Sequence, residues 1–194
     1  MPAIRTDTPE WPSAGAELLL SLPTAPGGFR LVAVEGRSGS GKSTVADRIA
    51  AELRAPVVRM DDLYPGWEGL AAVVPLVRRW IVEPLRHGRA PCWQRYDWDL
   101  GRRAEWRETP VAETLLIEGC GTGAAELRPF LCALVWVETP PEVRQRRLAA
   151  RWDAGVYAPY RSTWSRQEDA FYAENRPCAH AHLTVDNGTD LPLP

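Results

Sequence analysis

A chain of 194 residues is long enough to bury one substantial core, and a single domain is the natural count. Hydrophobic residues at 45% and charged residues at 25% are ordinary for a globular protein, and a formal net charge of −2 excludes a general electrostatic pull toward nucleic acid or anionic membrane. Cys92, Cys120, Cys132 and Cys178 are scattered without a Cys-x-x-Cys pair, which argues against a zinc site or disulfide framework and for reduced, packed thiols.

Residues 1–28 hold Pro2, Pro9, Pro12, Pro23 and Pro26 and read as an arm with a short helix over Ala14–Leu22, ahead of a domain spanning residues 29–194. Leu18-Leu19-Leu20 is too short for the core of a secretory signal, and Glu10 and Glu17 precede it where positive charge belongs. No apolar run approaches the ~18 residues of a membrane span, so a cytoplasmic protein is expected.

The apolar run Leu31-Val32-Ala33-Val34 leads into Gly36-Arg37-Ser38-Gly39-Ser40-Gly41-Lys42-Ser43-Thr44, and Val45–Leu53 follows with apolar residues at helical spacing. Strand, glycine loop and helix are the context in which G-x-x-x-x-G-K-[ST] binds phosphate. Glycines let successive N–H groups turn inward, the helix N-terminus adds its positive end, Lys42 reaches the outer phosphates, and the Ser43 hydroxyl can ligate Mg²⁺. Gly36, Ser38, Gly39, Ser40, Gly41, Lys42, Ser43 and Thr44 are therefore the expected donor-binding residues.

Pro56–Met60 reads as a second strand ending in Asp61-Asp62-Leu63-Tyr64. Ligands gather at the carboxyl ends of strands in open α/β sheets, which places Asp61 beside the phosphate loop; paired aspartates also serve as ordinary turn or cap residues. Gly69–Leu85 is predicted as one packing helix interrupted by Pro75 and Pro84. About residues 86–110 the composition changes: Trp93, Tyr96, Trp98 and Trp106 lie among Arg95, Asp97, Asp99, Arg102, Arg103, Glu105 and Arg107. Such a mixture suits a flap over a planar or sugar-like ligand, and equally a flap whose aromatics pack on the domain.

Thr114–Ile117 is a doubly covered strand ending at Glu118, which could orient Mg²⁺ through water, hold an acceptor, or brace a loop. Cys132–Val137 gives another buried strand. The next helix starts near Pro140-Pro141 and carries Arg144, Arg147 and Arg151 on one face, as a solvated basic stripe or as guanidiniums that neutralise a transferring phosphoryl group. Asp153–Tyr160 reads as a mobile turn, so that about residues 144–163 form a lid, and Ser165–Asn175 as a helix. Leu183–Asp186 is the last strand, followed by the Asn187-Gly188 turn. The alternation predicts an α/β fold with a doubly wound, mainly parallel five-stranded sheet.

A carboxylate, an aromatic flap and an arginine-bearing lid around a phosphate loop are the parts of phosphoryl transfer to a small hydroxyl compound. Asp61 would orient or accept the hydroxyl proton, with Lys42, Arg147, Arg151 and Mg²⁺ stabilising charge on the phosphoryl oxygens; Ser43, Asp61 and Glu118 are the candidate metal ligands. The competing class is a nucleotide-dependent switch acting on a protein partner, although no Asn-Lys-x-Asp base-reading motif is visible.

The elements Gly36–Thr44, Asp61–Tyr64, Tyr96-Asp97-Trp98, Ile117-Glu118-Gly119 and Arg144/Arg147/Arg151 occur in the order found in the uridine kinase and phosphoribulokinase-like family, which the chain resembles over about residues 30–188. The resemblance implies a P-loop nucleoside-kinase fold with a helical lid, ATP as donor and an alcohol group as acceptor. It matches Asp61 to the catalytic aspartate, Tyr64, Tyr96 and Trp98 to acceptor-contacting aromatics, Arg103 to an acceptor-side arginine, and Arg144–Arg151 to the lid. It also places adenine near the lid and Asn187. Gly101 stands where uridine–cytidine kinases carry a base-contacting histidine, so the resemblance carries kinase chemistry further than a pyrimidine acceptor. The implied partners are a small-molecule acceptor, neither nucleic acid nor membrane, and a second copy of the chain if the protein is a homodimer.

Overall fold

Apolar residues that alternate between two covered faces organise the chain. The computed structural model describes residues 2–25, 27–151 and 153–188. Strand β1 (Ala3–Arg5) and helix α1 (Trp11–Ser21) precede β2 (Arg30–Glu35), α2 (Lys42–Leu53) and β3 (Val57–Arg59). A tight helical turn (Met60–Asp62) follows, then α3 (Val73–Val77), a π-helical turn (Arg78–Val82) and α4 (Glu83–Arg86). The antiparallel hairpin β4 (Cys92–Asp97) and β5 (Arg102–Glu108) stands outside the main sheet. The chain closes with β6 (Thr114–Glu118), β7 (Ala133–Glu138), α5 (Pro141–Ala150), α6 (Ala154–Tyr157), α7 (Arg161–Asn175) and β8 (Leu183–Asp186).

The main sheet has the order β1-β8-β7-β2-β6-β3, and every pairing in it is parallel. Leu31 and Ala33 of β2 join the core cluster that includes Val77, Ile81, Trp164 and Phe171, whereas Val32 and Val34 join the cluster beneath α1 and α2. Two-sided burial explains why the central strands carry no polar alternation. In register, Val34 lies opposite Glu118 and Glu118 opposite Arg59. The ends of β2, β6 and β3 therefore release the phosphate loop, the loop at residues 119–123 and the Met60–Asp62 turn side by side.

Three features depart from the sequence reading. The sheet has six strands rather than five, because Ala3–Arg5 pairs with β8 from Ala3–Thr184 to Arg5–Asp186. The long helix over Gly69–Leu85 is broken by a π-helical turn just before Pro84, whose missing N–H and ring clash at Trp80 forbid the regular ladder. The stretch read as a mobile turn contains α6, continued through Ala158–Tyr160 directly into α7. Among the described residues, no helix is long and apolar enough to cross a membrane.

Candidate active site

The glycine loop joins β2 to α2, and no side chain among the described residues caps that helix, so its first-turn N–H groups remain open to an anion. Gly39 has φ +80°, and a Cβ there would sit 2.6 Å from the Arg144 carbonyl oxygen. Gly41 also has φ +80°, and a Cβ there would collide with Asn187 Nδ2. Both positions need glycine for conformation and for space. The Ser40 carbonyl accepts from Asn187 Nδ2 at 2.7 Å and lies 3.0 Å from Thr139 Oγ1 and 3.2 Å from Arg147 Nη1. Asn187 is only 2% exposed, and its Oδ1 accepts from Thr6 Oγ1 at 2.9 Å. Its amide thus ties the glycine loop to Thr6, just beyond β1.

The arginine row divides. Arg144 Nη1 donates to the Ser38 carbonyl at 3.4 Å, and Arg147 Nη2 donates to the Asn187 carbonyl at 3.1 Å. Arg151 instead pairs with Asp153 and lies 5.5 Å over the Tyr157 ring. Helix α5 ends at Ala150 and the backbone of Arg151 is extended, so the three-and-four spacing no longer holds it on the helical face.

Lys42 stands among acids. Burial alone would lower its pKa, but Cys120, Glu118, Glu168 and Asp61 together hold the ammonium charged to well above its ordinary range. Glu118 is 3% exposed. Its Oε1 accepts from Arg59 Nη1 at 2.9 Å, while Oε2 is buried without a hydrogen-bond partner among the described residues. Burial raises its pKa against the opposing pull of Lys42 and Arg59. Asp61 is exposed on the Met60–Asp62 turn, and its carbonyl accepts from Trp98 Nε1 at 2.9 Å. Ser43 is exposed and Thr44 half-buried in the first turn of α2.

The hairpin places Tyr96 and Trp98 edge to face at 5.0 Å. Trp98 meets Trp67 at 4.6 Å, and Trp67 stacks on Tyr160 at 4.5 Å, so an aromatic wall runs from the flap to the lid. Tyr64 is not part of that wall. It is 1% exposed, donates its hydroxyl to the Cys120 carbonyl at 2.8 Å and packs on Trp164 at 4.8 Å, which makes it part of the core. Arg103 is also committed to structure: Nη1 donates to the Gln94 carbonyl at 3.0 Å and Nη2 to the Leu63 carbonyl at 2.7 Å, with the guanidinium over Trp80 and Tyr96.

Four residues outside the sequence-derived set complete the site: Glu35, Arg59, Trp67 and Glu168. Glu35, like Glu118, is an acidic residue at the end of an apolar strand, so the same sequence signal marks it. It is fully buried and accepts from the N–H groups of Gly121 and Gly123 at 2.8 Å and from the Tyr172 hydroxyl at 3.0 Å. Burial pushes its pKa from 4.5 up to about 7 despite these bonds and the charge of Lys42. A carboxyl whose pKa is raised on folding stabilises the fold fully below its unfolded value and loses that contribution as pH rises through the folded value. That shift corresponds to something on the order of 3 kcal/mol. Wild type should therefore lose stability between about pH 4.5 and pH 7, and Glu35→Gln should flatten the melting midpoint across that window. An unchanged slope in the variant would refute the assignment.

No protein-family model matches the chain. The chain is 30% identical over 139 residues to a cytidylate kinase from Pyrobaculum arsenaticum, covering 71% of this chain and 69% of that protein. Its fold is similar to that of a possible uridine kinase from Bacillus stearothermophilus, with a TM-score of 0.64 and 21% identity over 90% of this chain and 97% of that one. It is equally similar to a candidate fructose transport system kinase from Silicibacter sp. TM1040, with a TM-score of 0.64 and 22% identity over 89% of this chain and 98% of that one.

Proposed function

The chain belongs to the P-loop family of nucleoside and nucleotide kinases, and we propose that within it the protein transfers the γ-phosphoryl group of ATP to a hydroxyl of an uncharged small molecule, with nucleosides among the candidates. The observation that carries this reading is the exposed carboxylate on the acceptor side. Asp61 offers an exposed carboxylate with no hydrogen bond or ion pair among the described residues, beside the Trp98 ring. Three of the flap arginines are already committed, Arg95 to Glu105 and Asp97, Arg107 to Asp62 and Glu105, and Arg103 to backbone carbonyls, whereas Arg102 is exposed on β5. A phosphate-bearing acceptor needs unpaired guanidiniums, whereas a hydroxyl acceptor needs a carboxylate that can take its proton.

In this reading Asp61 orients the hydroxyl and accepts its proton as oxygen attacks, and the aromatic wall of Tyr96, Trp98 and Trp67 positions the acceptor and excludes water. Lys42 meets the charge that spreads over the phosphoryl oxygens, and the open N–H groups of α2 hold the inner phosphates. Arg144 and Arg147 lie against the loop from the lid side and are placed to follow its conformation. Arg151 would join them only by leaving Asp153.

The orphan Glu118 Oε2 and the exposed Ser43 hydroxyl are hard oxygen donors of the kind Mg²⁺ takes. Among the described residues no group of three or more His, Cys, Asp or Glu side chains could hold a metal ion. When bound, Mg²⁺ would neutralise charge on the donor phosphates.

A second reading, transfer to a nucleoside monophosphate, is favoured by the similarity to a cytidylate kinase. A panel of nucleosides, sugars, small alcohols and CMP, scored by ADP release, separates the two. Acceptor-dependent release with an uncharged hydroxyl compound is the expected result. Release with CMP alone supports the second reading, and slow release that ignores every acceptor supports a nucleotide switch.

A further inference from the structure

Helix α7 touches both halves of the site. Trp164 packs on Tyr64 beneath the Asp61 turn. Gln167 Nε2 donates to the Trp67 carbonyl at 2.8 Å, and its Oε1 accepts from the Leu70 N–H at 3.2 Å, which fixes the acceptor-side loop. One residue later, Glu168 Oε1 accepts from the Ser38 N–H at 2.8 Å, from Ser38 Oγ at 2.6 Å and from Cys120 Sγ at 3.2 Å. Arg37 Nη1 lies 3.8 Å from its other oxygen.

The Glu168 side chain is 4% exposed, and a buried carboxylate carries a large desolvation cost unless its bonds are good. Those bonds go to the apex of the phosphate loop and to the chain just beyond β6. The other ties to the apex are of a different kind: Arg37 Nη1 pairs with Asp169 at 2.6 Å on the same helix, and Arg144 reaches the Ser38 carbonyl at 3.4 Å, so Glu168 is the side chain that accepts from the Ser38 N–H. Glu168 is also one of the acids that keep Lys42 charged, so it lies within electrostatic reach of the group that meets the outer phosphates.

We propose that Glu168 is a positioning residue that fixes the apex of the phosphate loop, Arg37–Gly39, over the transferring phosphoryl group, while the N-terminal amides of α2 hold the rest of the donor. The inference rests on the phosphoryl-transfer reading. Glu168 touches neither substrate. It acts through Ser38, and because α7 also holds Trp67 and Leu70, it references the donor apex to the acceptor side.

The test is calorimetric titration of MgADP, alone and with aluminium fluoride, which adds a mimic of the planar phosphoryl group, into wild type, Glu168→Ala and Glu168→Gln. Glu168→Ala is expected to bind MgADP within about twofold of wild type but to lose about 30-fold of the fluoride-dependent tightening. Glu168→Gln keeps an oxygen for Ser38 and should recover to within about fivefold of wild type. Equal loss in both titrations, with no recovery in the glutamine variant, would mean a merely structural tie and would overturn the proposal; so would no loss in either. Should Glu168→Ala fold poorly, Ser38→Ala decides the matter: an expected loss of about fivefold in the same tightening supports the proposal, and no loss overturns it. Neither titration uses an acceptor. Failure to find acceptor-dependent turnover would thus count against the kinase reading alone, and the fluoride response decides Glu168.

Discussion

Asp61→Asn is expected to lower acceptor-dependent ADP release by about a thousandfold while leaving MgADP affinity within about twofold of wild type. The substitution preserves shape and the backbone carbonyl that accepts from Trp98 Nε1, so the turn and the flap contact should persist. What it removes is the proposed proton acceptor. Asp61 is exposed at the end of β3, whereas the glycine loop joins β2 to α2, so the substitution reaches the donor side only through the charge Asp61 lends to Lys42. Steady-state kinetics with the best acceptor from the panel, alongside calorimetry, make the comparison. Turnover within about tenfold of wild type would remove Asp61 from the role of base.

Lys42→Met is expected to reduce turnover by at least about a hundredfold and to weaken MgATP binding as well, since the role proposed for Lys42 is to meet phosphate charge in the ground state and in the transition state. A second consequence follows from its neighbours. Lys42 offsets the burial that raises the Glu118 pKa, so without it Glu118 should hold its proton to higher pH still. A carboxyl raised further on folding costs more stability as pH rises. The variant should therefore lose more melting temperature relative to wild type at about pH 8 than at about pH 5. Equal losses at the two values would show that Lys42 and the surrounding acids are not coupled as the geometry indicates.

Phosphate binding and the strands around it are legible in the sequence for physical reasons. Leu31–Val34, Leu115–Ile117 and Leu134–Val137 are buried on both faces and must be apolar throughout. The glycine loop is written by chemistry, because Gly39 and Gly41 tolerate no side chain. Other parts carry no local signature. Strand β1 is three residues at a sheet edge with mostly exposed side chains, and only its pairing with β8 reveals it. Trp67 lies in a loop with no periodicity, and its stacking partner Tyr160 comes from the lid. Glu168 reaches Ser38 across 130 residues, a distance no spacing rule spans. The spacing of Arg144, Arg147 and Arg151 implies one face, but the helix stops one residue short of the third. Tyr64 and Asn187 sit at positions that the family resemblance marks as binding, yet burial commits both to holding the site together.

The most direct test of phosphoryl transfer to an uncharged hydroxyl compound is to follow the label from γ-labelled ATP in a mixture of nucleosides, sugars, CMP and water. Label recovered in a phosphate monoester on a hydroxyl of an uncharged acceptor, and lost in Asp61→Asn, is the predicted result. Label found only in inorganic phosphate, or only in the diphosphate formed from CMP, would contradict it.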